Sequence, residues 1–241
     1  MSISYGDVWQ LGRHRLLCGD SCDRNLVFQF LDGTGPELIW ADPPYGAKSQ
    51  HKNGTIGGGS ERAEAKKYPL IYGDEDNSIA IITFNTYCEL YPSVPQIWWG
   101  ANYYSEVLPS SSCWVVWDKQ NGASHFADVE LAWTNQRTAS RLFQWKWNGY
   151  IKRGEASGKK RCHPHQKPVE MVNWYWDKYA KNAKILFDPF IGSGTTIIAA
   201  EKSQDRMVYG IELMPEYCEV TIRRYEEETG DTANLLSSMA Y

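Results

Sequence analysis

The sequence predicts an α/β fold with an open sheet, because short apolar runs alternate with helical stretches along most of its length. Two of the apolar runs lead into distinctive turns. One is followed by residues 42–45 (DPPY), where two prolines must end a strand. The other is followed by residues 188–194 (DPFIGSG), whose glycines allow a tight turn into a helix. Each turn is a candidate ligand site, since ligands of open α/β sheets bind beyond the carboxyl ends of strands.

Seven of the apolar runs are predicted to be strands, and five stretches are predicted to be helices. The strands cover 15–18, 37–41, 96–99, 113–117, 129–134, 184–187 and 207–211. The helices cover 24–31, 77–90, 168–179, 195–203 and 215–228. Residues 46–72 are polar and contain three consecutive glycines, so a loop is expected there, and the tail after Gly230 is expected to fray.

The length of 241 residues and the hydrophobic content of 42% suffice for one large domain. We predict a single domain over 1–241, without a signal peptide or a membrane span, in the cytoplasm. The six cysteines are scattered, which favours free thiols. A metal site at Cys162, His163 and His165 is the alternative, but no further ligand set accompanies these residues, and no metal is predicted.

Positive charge is concentrated between residues 137 and 167. This segment has nine lysines and arginines against one acid, Glu155, so it carries +8 while the rest of the chain carries −12. Such a segment is typical of a surface that binds a polyanion, with a solvated loop as the alternative. Trp145, Trp147 and Tyr150 lie among the cations, where they could pack on bases or sugars or form the edge of the core.

The glycine-rich turn has features of a nucleoside-binding site. Gly192 and Gly194 allow the backbone to turn tightly and to approach a ligand closely. Glu212 ends the next predicted strand, 20 residues after Gly192. A carboxylate there can accept hydrogen bonds from both ribose hydroxyls of an adenosine-containing ligand. The alternative is a tight strand–helix turn that binds nothing.

The DPPY segment suits chemistry on an exocyclic amine of a base. The lone pair of such an amine is delocalised into the ring, so an enzyme must accept hydrogen bonds from the NH2 group before the nitrogen can attack. Asp42 and the Pro43 carbonyl are two acceptors, held at fixed spacing by the rigidity of Pro43 and Pro44. Tyr45 offers a flat face on which an extruded base can stack. The alternative is a proline-rich strand end.

Residues 42–45 and 188–194 together resemble the paired signatures of amino-group DNA methyltransferases. In that family the DPPY motif binds the target base, and the FxGxG motif, here residues 190–194, binds S-adenosylmethionine. The DPPY motif comes first and FxGxG follows about 145 residues later. This order resembles the β class, a circularly permuted version of the methyltransferase fold. Residues 163–169 (HPHQKPV) are similar to the family's HPTQKP segment, with His165 in place of the usual threonine.

Other segments are similar to phage- and prophage-type members of the family, namely residues 6–12, 18–21 and 126–133. The resemblance extends from about Gly6 to about Tyr225. It implies a Rossmann-like fold with a seven-stranded mixed sheet and helices on both faces. It also implies that the strands before Asp42 and Asp188 are neighbours, which would bring the methyl donor to the base.

The resemblance further implies an S-adenosylmethionine-dependent enzyme that methylates N6 of adenine in double-stranded DNA, as in restriction-modification, in a bacterium or a phage-infected cell. The residues implied in catalysis are Asp42, Pro43, Pro44 and Tyr45. The residues implied in cofactor binding are Asp20, Ser21, Lys167, Asp188, Phe190, Gly192, Gly194, Thr195 and Glu212.

DNA recognition is expected from two candidate insertions, residues 47–72 and 137–161. Their cations would contact phosphates, which gives salt-dependent affinity without base specificity. The candidate contacts are Lys48, Lys52, Arg137, Arg141, Lys152, Arg153, Lys159, Lys160 and Arg161. The β-class resemblance hints at a homodimer, but no sequence feature indicates one.

Several functions remain open. N4 of cytosine fits the motif chemistry, because both bases present an NH2 group beside a ring nitrogen, although an initial aspartate favours adenine within the family. Methylation of RNA or of a protein glutamine poses the same chemical problem, but those families often begin the motif with asparagine. A non-catalytic nucleic-acid-binding module is disfavoured because Asp42, Tyr45 and the glycines are all present. A nicotinamide dehydrogenase is disfavoured because GxGxxG is missing.

Overall fold

The structure is a computed structural model that describes residues 2–46, 55–56, 66–67, 72–122, 127–148, 151–152, 166–203 and 205–239. Within these ranges the chain forms a ten-stranded sheet, two short ladders and five α-helices. The sheet contains β1 (Asp7–Leu11), β2 (His14–Cys18), β3 (Leu38–Ala41), β6 (Gln96–Trp99), β7 (Trp114–Asp118), β8 (Val129–Thr134), β9 (Arg141–Gln144), β12 (Ile185–Asp188), β13 (Met207–Glu212) and β14 (Asn234–Ser238). The ladders pair β4 (Thr55–Ile56) with β5 (Lys66–Lys67) and β10 (Trp147–Asn148) with β11 (Ile151–Lys152). The helices are α1 (Arg24–Leu31), α2 (Ser78–Leu90), α3 (Val169–Tyr179), α4 (Thr195–Glu201) and α5 (Pro215–Thr229).

The strand order of the sheet is β14-β1-β2-β13-β12-β3-β6-β8-β7-β9. Five consecutive strands of this order, β2, β13, β12, β3 and β6, run parallel, and β8 is antiparallel to both of its neighbours. The strands that precede the two motifs, β3 and β12, are adjacent, with Phe187 opposite Ile39. The predicted mixed α/β sheet is therefore confirmed, and the two motifs leave the same edge of it.

The strand number corrects the prediction of seven. The seven predicted strands are the contiguous set from β2 to β7, and the described residues add β1 and β14 at one edge and β9 at the other. Buried parallel strands carry continuous apolar runs, whereas edge strands lack them. Every residue of β14 is exposed, so the tail after Gly230 has no core-facing pattern. It nevertheless pairs with β1, from Asp7 opposite Ser238 to Gln10 opposite Asn234.

The predicted loop at 46–72 also needs correction, because it contains the ladder of β4 and β5. Most of its remaining residues lie outside the described part of the chain.

Helices cover both faces of the sheet. Side chains of a strand alternate between faces, and here they divide into two apolar clusters: Trp40 and Trp99 belong to one, Ile39 and Trp98 to the other. The first cluster includes side chains of α3, α4 and α5, and the second includes side chains of α1 and α2. The sheet is thereby fixed from both sides, and its carboxyl edge stays free for a site. No helix in the described ranges is long and apolar enough to cross a membrane.

Candidate active site

A cavity opens at the edge of the sheet where β3, β12 and β13 end. Every residue predicted for catalysis or cofactor binding lines this cavity except Gly194. Gly194 lies beside it, as the residue that precedes α4. Two motifs that are far apart in sequence therefore face one space. The individual roles of these residues remain predictions.

The glycine turn after β12 depends on two residues in the left-handed backbone region, Gly192 with φ 54° and Gly194 with φ 73°. Only glycine adopts this region without strain. A Cβ atom on Gly194 would also lie 2.8 Å from Cγ2 of Thr221 on α5. The Thr221 hydroxyl in turn donates to the carbonyl of Gly192 at 2.7 Å. The turn is thus fixed by packing against α5 as well as by its own backbone.

Glu212 is joined directly to this turn. Its carboxylate accepts hydrogen bonds from the backbone N–H of Gly192 at 3.1 Å and of Met214 at 2.9 Å. Burial raises the pKa of the Glu212 carboxyl to about 7, even though these two donors oppose the shift. A cationic or hydrogen-bond-donating ligand would favour the charged form.

Asp188 is a second buried carboxyl in the same half of the cavity. It accepts from the Thr196 hydroxyl at 2.8 Å and from the N–H of Phe190 at 3.1 Å. Burial raises the pKa of Asp188 to about 7 as well. The neighbouring Ser21 hydroxyl donates to the carbonyl of Pro189 at 2.7 Å, which connects the end of β2 to the glycine turn.

Asp42 lies in the other half of the cavity and forms an ion pair with Lys167. Both side chains are largely buried, with 16% of Asp42 and 6% of Lys167 exposed. The Lys167 Nζ atom also lies 3.2 Å from a Glu130 carboxylate oxygen, and the other oxygen of Glu130 lies 2.5 Å from Nζ of Lys119. Four charges of alternating sign therefore run from Lys119 to Asp42.

Burial and this chain of charges together determine the pKa of Asp42. Burial raises the pKa of the Asp42 carboxyl, while the Lys167 ammonium opposes the rise. For Lys167, burial lowers the pKa, but the carboxylates of Asp42 and Glu130 outweigh it and the pKa is raised. Lys167 therefore stays charged beside Asp42. The sequence predicted Lys167 as a cofactor residue, and the structure brings its ammonium to the DPPY carboxylate.

Tyr45 has an aromatic partner that the sequence analysis did not identify. Its ring stacks on that of Tyr103, with centroids 4.7 Å apart and an interplanar angle of 17°. Gly100, with φ 66°, makes the packing possible, because a Cβ atom there would lie 2.2 Å from Cε1 of Tyr45. Burial also raises the pKa of the Tyr45 hydroxyl above its usual range, so this phenol stays neutral.

The structure describes only some of the residues predicted to contact DNA. Arg137 is exposed, Arg141 is half-buried on β9, and neither lines the cavity. Lys152 belongs to β11, where only the backbone is described. The remaining candidates, Lys48, Lys52, Arg153, Lys159, Lys160 and Arg161, lie outside the described residues, as do Cys162, His163 and His165.

Two aromatic residues of the basic segment belong to the edge of the core. Trp147 is buried and packs edge-on against Trp117. Trp145 is half-buried and stacks on Phe143, with centroids 5.9 Å apart. Of the two roles that the sequence left open for these side chains, the structure therefore shows the second, a place at the edge of the core.

Sequence reasoning missed Lys119, Glu130 and Tyr103. Glu130 lies inside residues 126–133, which resemble family members, but nothing in the sequence indicates that it contacts Lys167. Tyr103 follows the carboxyl end of β6 by four residues, and that position at the ligand-binding edge was the available signal. Among the described residues, no group of three or more histidines, cysteines or acids is arranged to hold a metal ion.

Comparisons with known proteins find similarity to DNA methyltransferases. A family model described as DNA methylase, of the N6/N4 type, matches residues 116–223. Type II methyltransferase M2.MboI of Moraxella bovis is 29% identical over 129 residues, which are 53% of this chain and 46% of that protein. Type II methyltransferase M.HinfI of Haemophilus influenzae is 24% identical over 234 residues, covering 79% of this chain and 63% of that protein. The chain thus spans about half to two thirds of the length of these relatives.

The fold is shared with solved structures. A crystal structure of an M1.HpyAVI–SAM complex aligns with a TM-score of 0.50 and 19% identity, over 87% of this chain and 98% of that chain. At this identity the likeness concerns the fold. The family model and the curated relatives support the resemblance to amino DNA methyltransferases that the motifs carry, although the model matches less than half of the chain.

Proposed function

We propose that this protein transfers a methyl group from S-adenosylmethionine to the exocyclic N6 of adenine in double-stranded DNA. The observation that carries the proposal is that the DPPY segment and the glycine turn with Glu212 line one cavity. A methyl donor and an amine acceptor must meet for direct transfer, and adjacent strands β3 and β12 deliver the two motifs to the same edge.

The residues of the glycine half fit an adenosine-containing cofactor. The Glu212 carboxylate ends β13 at the cavity, where it can accept hydrogen bonds from ribose hydroxyls. Asp20 and Ser21 line the cavity at the end of β2 and are candidates to border the adenine ring. S-adenosylmethionine supplies an electrophilic methyl group on a sulfonium cation, and the buried carboxyls of Glu212 and Asp188 suit a positively charged ligand.

The residues of the other half fit a base with an amino group. Asp42 and the Pro43 carbonyl accept hydrogen bonds from the NH2 group, which localises the lone pair on nitrogen. The Tyr45 ring offers a stacking surface. After transfer the nitrogen must lose one proton, and an ionised Asp42 is a suitable acceptor. The chemistry then requires mainly positioning and exclusion of water.

Access to the amine in duplex DNA requires that the base be flipped out of the helix. Flipping costs a few kcal/mol, which stacking and hydrogen bonds in the pocket must offset. The cations of the two insertions are the candidates for phosphate contacts, which would position the duplex without reading its sequence.

N4 of cytosine is the second candidate, because the matched family model is that of both N6 and N4 enzymes. The two acceptors at Asp42 and Pro43 treat both amines alike. The initial aspartate of the motif is the feature that favours adenine.

The test is mass spectrometry of nucleosides from unmethylated DNA incubated with the protein and isotopically labelled S-adenosylmethionine. Labelled N6-methyladenine is the expected product. Labelled N4-methylcytosine would retain the reaction and change the base. If no labelled nucleoside appears while the cofactor binds, DNA methylation by this protein is refuted, and RNA and protein amides become the substrates to assay.

A further inference from the structure

Tyr103 occupies an unusual position beside the proposed base pocket. It covers one face of the Tyr45 ring, while Tyr45 itself lines the cavity and Tyr103 does not. Tyr103 therefore packs on a ring that lines the cavity without lining the cavity itself. The residue is 51% exposed, although it contacts a residue of the candidate active site.

The backbone that carries Tyr103 is firmly held. The next residue, Tyr104, is fully buried and donates its hydroxyl to the Trp99 carbonyl at 2.8 Å. The Asn77 side chain, at the start of α2, donates to the Tyr103 carbonyl at 2.9 Å. Gly100 makes the room that the Tyr45 ring requires. The Tyr103 ring is thus presented to Tyr45 by a fixed turn, while half of its surface remains in solvent.

We infer that Tyr103 is a positioning residue for the target base, which holds the Tyr45 ring so that its cavity face can receive a flipped base. This inference rests on the proposed function. A single phenol ring on a flexible side chain can tilt, and a tilted ring stacks poorly on a planar base. A second ring parallel to the first restricts that tilt. The result is a three-layer stack of base, Tyr45 and Tyr103.

The contribution of this stack has a predictable size. Aromatic pairs add about 0.5–1.5 kcal/mol beyond the burial of their area, which corresponds to roughly twofold to tenfold in an equilibrium constant. Tyr103→Leu keeps apolar volume but removes the flat face. We expect it to lower kcat/KM for DNA by about fivefold. Tyr103→Phe keeps the face and should stay within about twofold of wild type.

The experiment measures methylation of unmethylated genomic DNA with labelled S-adenosylmethionine for wild type, Y103L and Y103F, together with cofactor affinity and thermal unfolding. Leu236→Ala is the matched control, because Leu236 is 52% exposed on β14 at the far edge of the sheet. The expected result is a loss of kcat/KM for DNA in Y103L, rescue in Y103F, and unchanged cofactor affinity in all variants.

The outcomes separate this inference from the proposed function. A wild-type protein that methylates no DNA overturns both. An active wild type with unchanged Y103L overturns the inference alone. Equal losses in Y103L and Y103F, or a parallel loss of cofactor affinity and melting temperature in Y103L, would assign Tyr103 a merely structural role and also overturn it.

Discussion

The two halves of the cavity hold their carboxylates in different ways. On the glycine side, Glu212 accepts hydrogen bonds from two backbone N–H groups, and Asp188 accepts from one such group and a buried hydroxyl. On the DPPY side, Asp42 is held by the long side chain of Lys167. Backbone donors are fixed by the fold, whereas a lysine side chain can rearrange. The glycine side is therefore preorganised, whereas the DPPY side has the freedom to adapt to a ligand.

The largest expected effect is on the DPPY side. Asp42→Ala removes the carboxylate that is proposed to accept a hydrogen bond from the amine, so turnover should fall by at least about a hundredfold. Cofactor affinity should change by less than about twofold, because Glu212 and the glycine turn do not depend on Asp42. Labelled methyl transfer and equilibrium binding of the cofactor measure the two quantities. Retained turnover would refute the role of Asp42.

The preorganised side can be tested through its glycines. Gly194→Ala places a side chain at φ 73° and within 2.8 Å of Thr221. We expect a loss of about 3 kcal/mol in the free energy of unfolding, the sum of backbone strain and overpacking. Gly230 is the matched control, since it has φ 78° but no atom near the position of a Cβ.

Gly230→Ala should accordingly cost only about 1 kcal/mol, from backbone strain alone. Chemical denaturation of both variants compares the two values. Equal losses would show that the packing of the turn against α5 does not matter.

The ionisation of Glu212 should make cofactor binding depend on pH. Its pKa in the ligand-free protein is about 7, and the charged form is the better partner for ribose hydroxyls and a sulfonium. The dissociation constant should therefore increase by about tenfold as pH falls from 8 to 6. Because the pKa of Glu212 is higher in the folded protein than in the unfolded chain, the ligand-free protein is less stable at higher pH, whereas its cofactor affinity increases with pH. It loses the stabilising contribution of protonated Glu212 as pH rises toward 7.

Glu212→Gln should flatten most of the pH dependence of cofactor affinity, and calorimetric titration at several pH values would measure it. Asp188, with a similar pKa, accounts for any dependence that remains. A wild-type affinity that is constant between pH 6 and 8 would contradict the assignment.

On the DPPY side, the pH dependence of the reaction should depend on the charge of Lys167. Lys167 opposes the rise in the pKa of Asp42, so Lys167→Met should move the acid limb of the pH–rate profile to higher pH. We expect the loss of rate to be larger at about pH 6 than at about pH 9. Single-turnover rates across that range provide the measurement. A uniform loss at every pH would show that Lys167 acts by shape and not by charge.

The sequence predicted those parts of the molecule that leave a local signature. The central strands are predominantly apolar because they are buried on both faces. The DPPY and glycine turns were found because their residues are neighbours in the chain. β14 was not predicted because an exposed edge strand has no core-facing pattern.

Contacts between residues that are distant in the sequence were not predicted, for a different reason. Lys119, Glu130, Lys167 and Asp42 come from four separate segments, and no spacing along the chain brings them together. Tyr103 likewise meets Tyr45 only because β3 and β6 are adjacent in the sheet. Such pairings result from the order of the strands in the sheet, so they are visible only in the folded structure.

The pairing of β1 with β14 has a consequence for engineering. The Ser238 hydroxyl donates to Asp7 at 2.6 Å, and the Met239 N–H donates to the Gly6 carbonyl at 2.9 Å, so the first and last strands end side by side. A short glycine linker could join these ends at small entropic cost. Reopening the chain in the turn between α3 and β12 would then give a rearranged gene product with the same sheet. In that product the glycine turn would be translated before the DPPY turn.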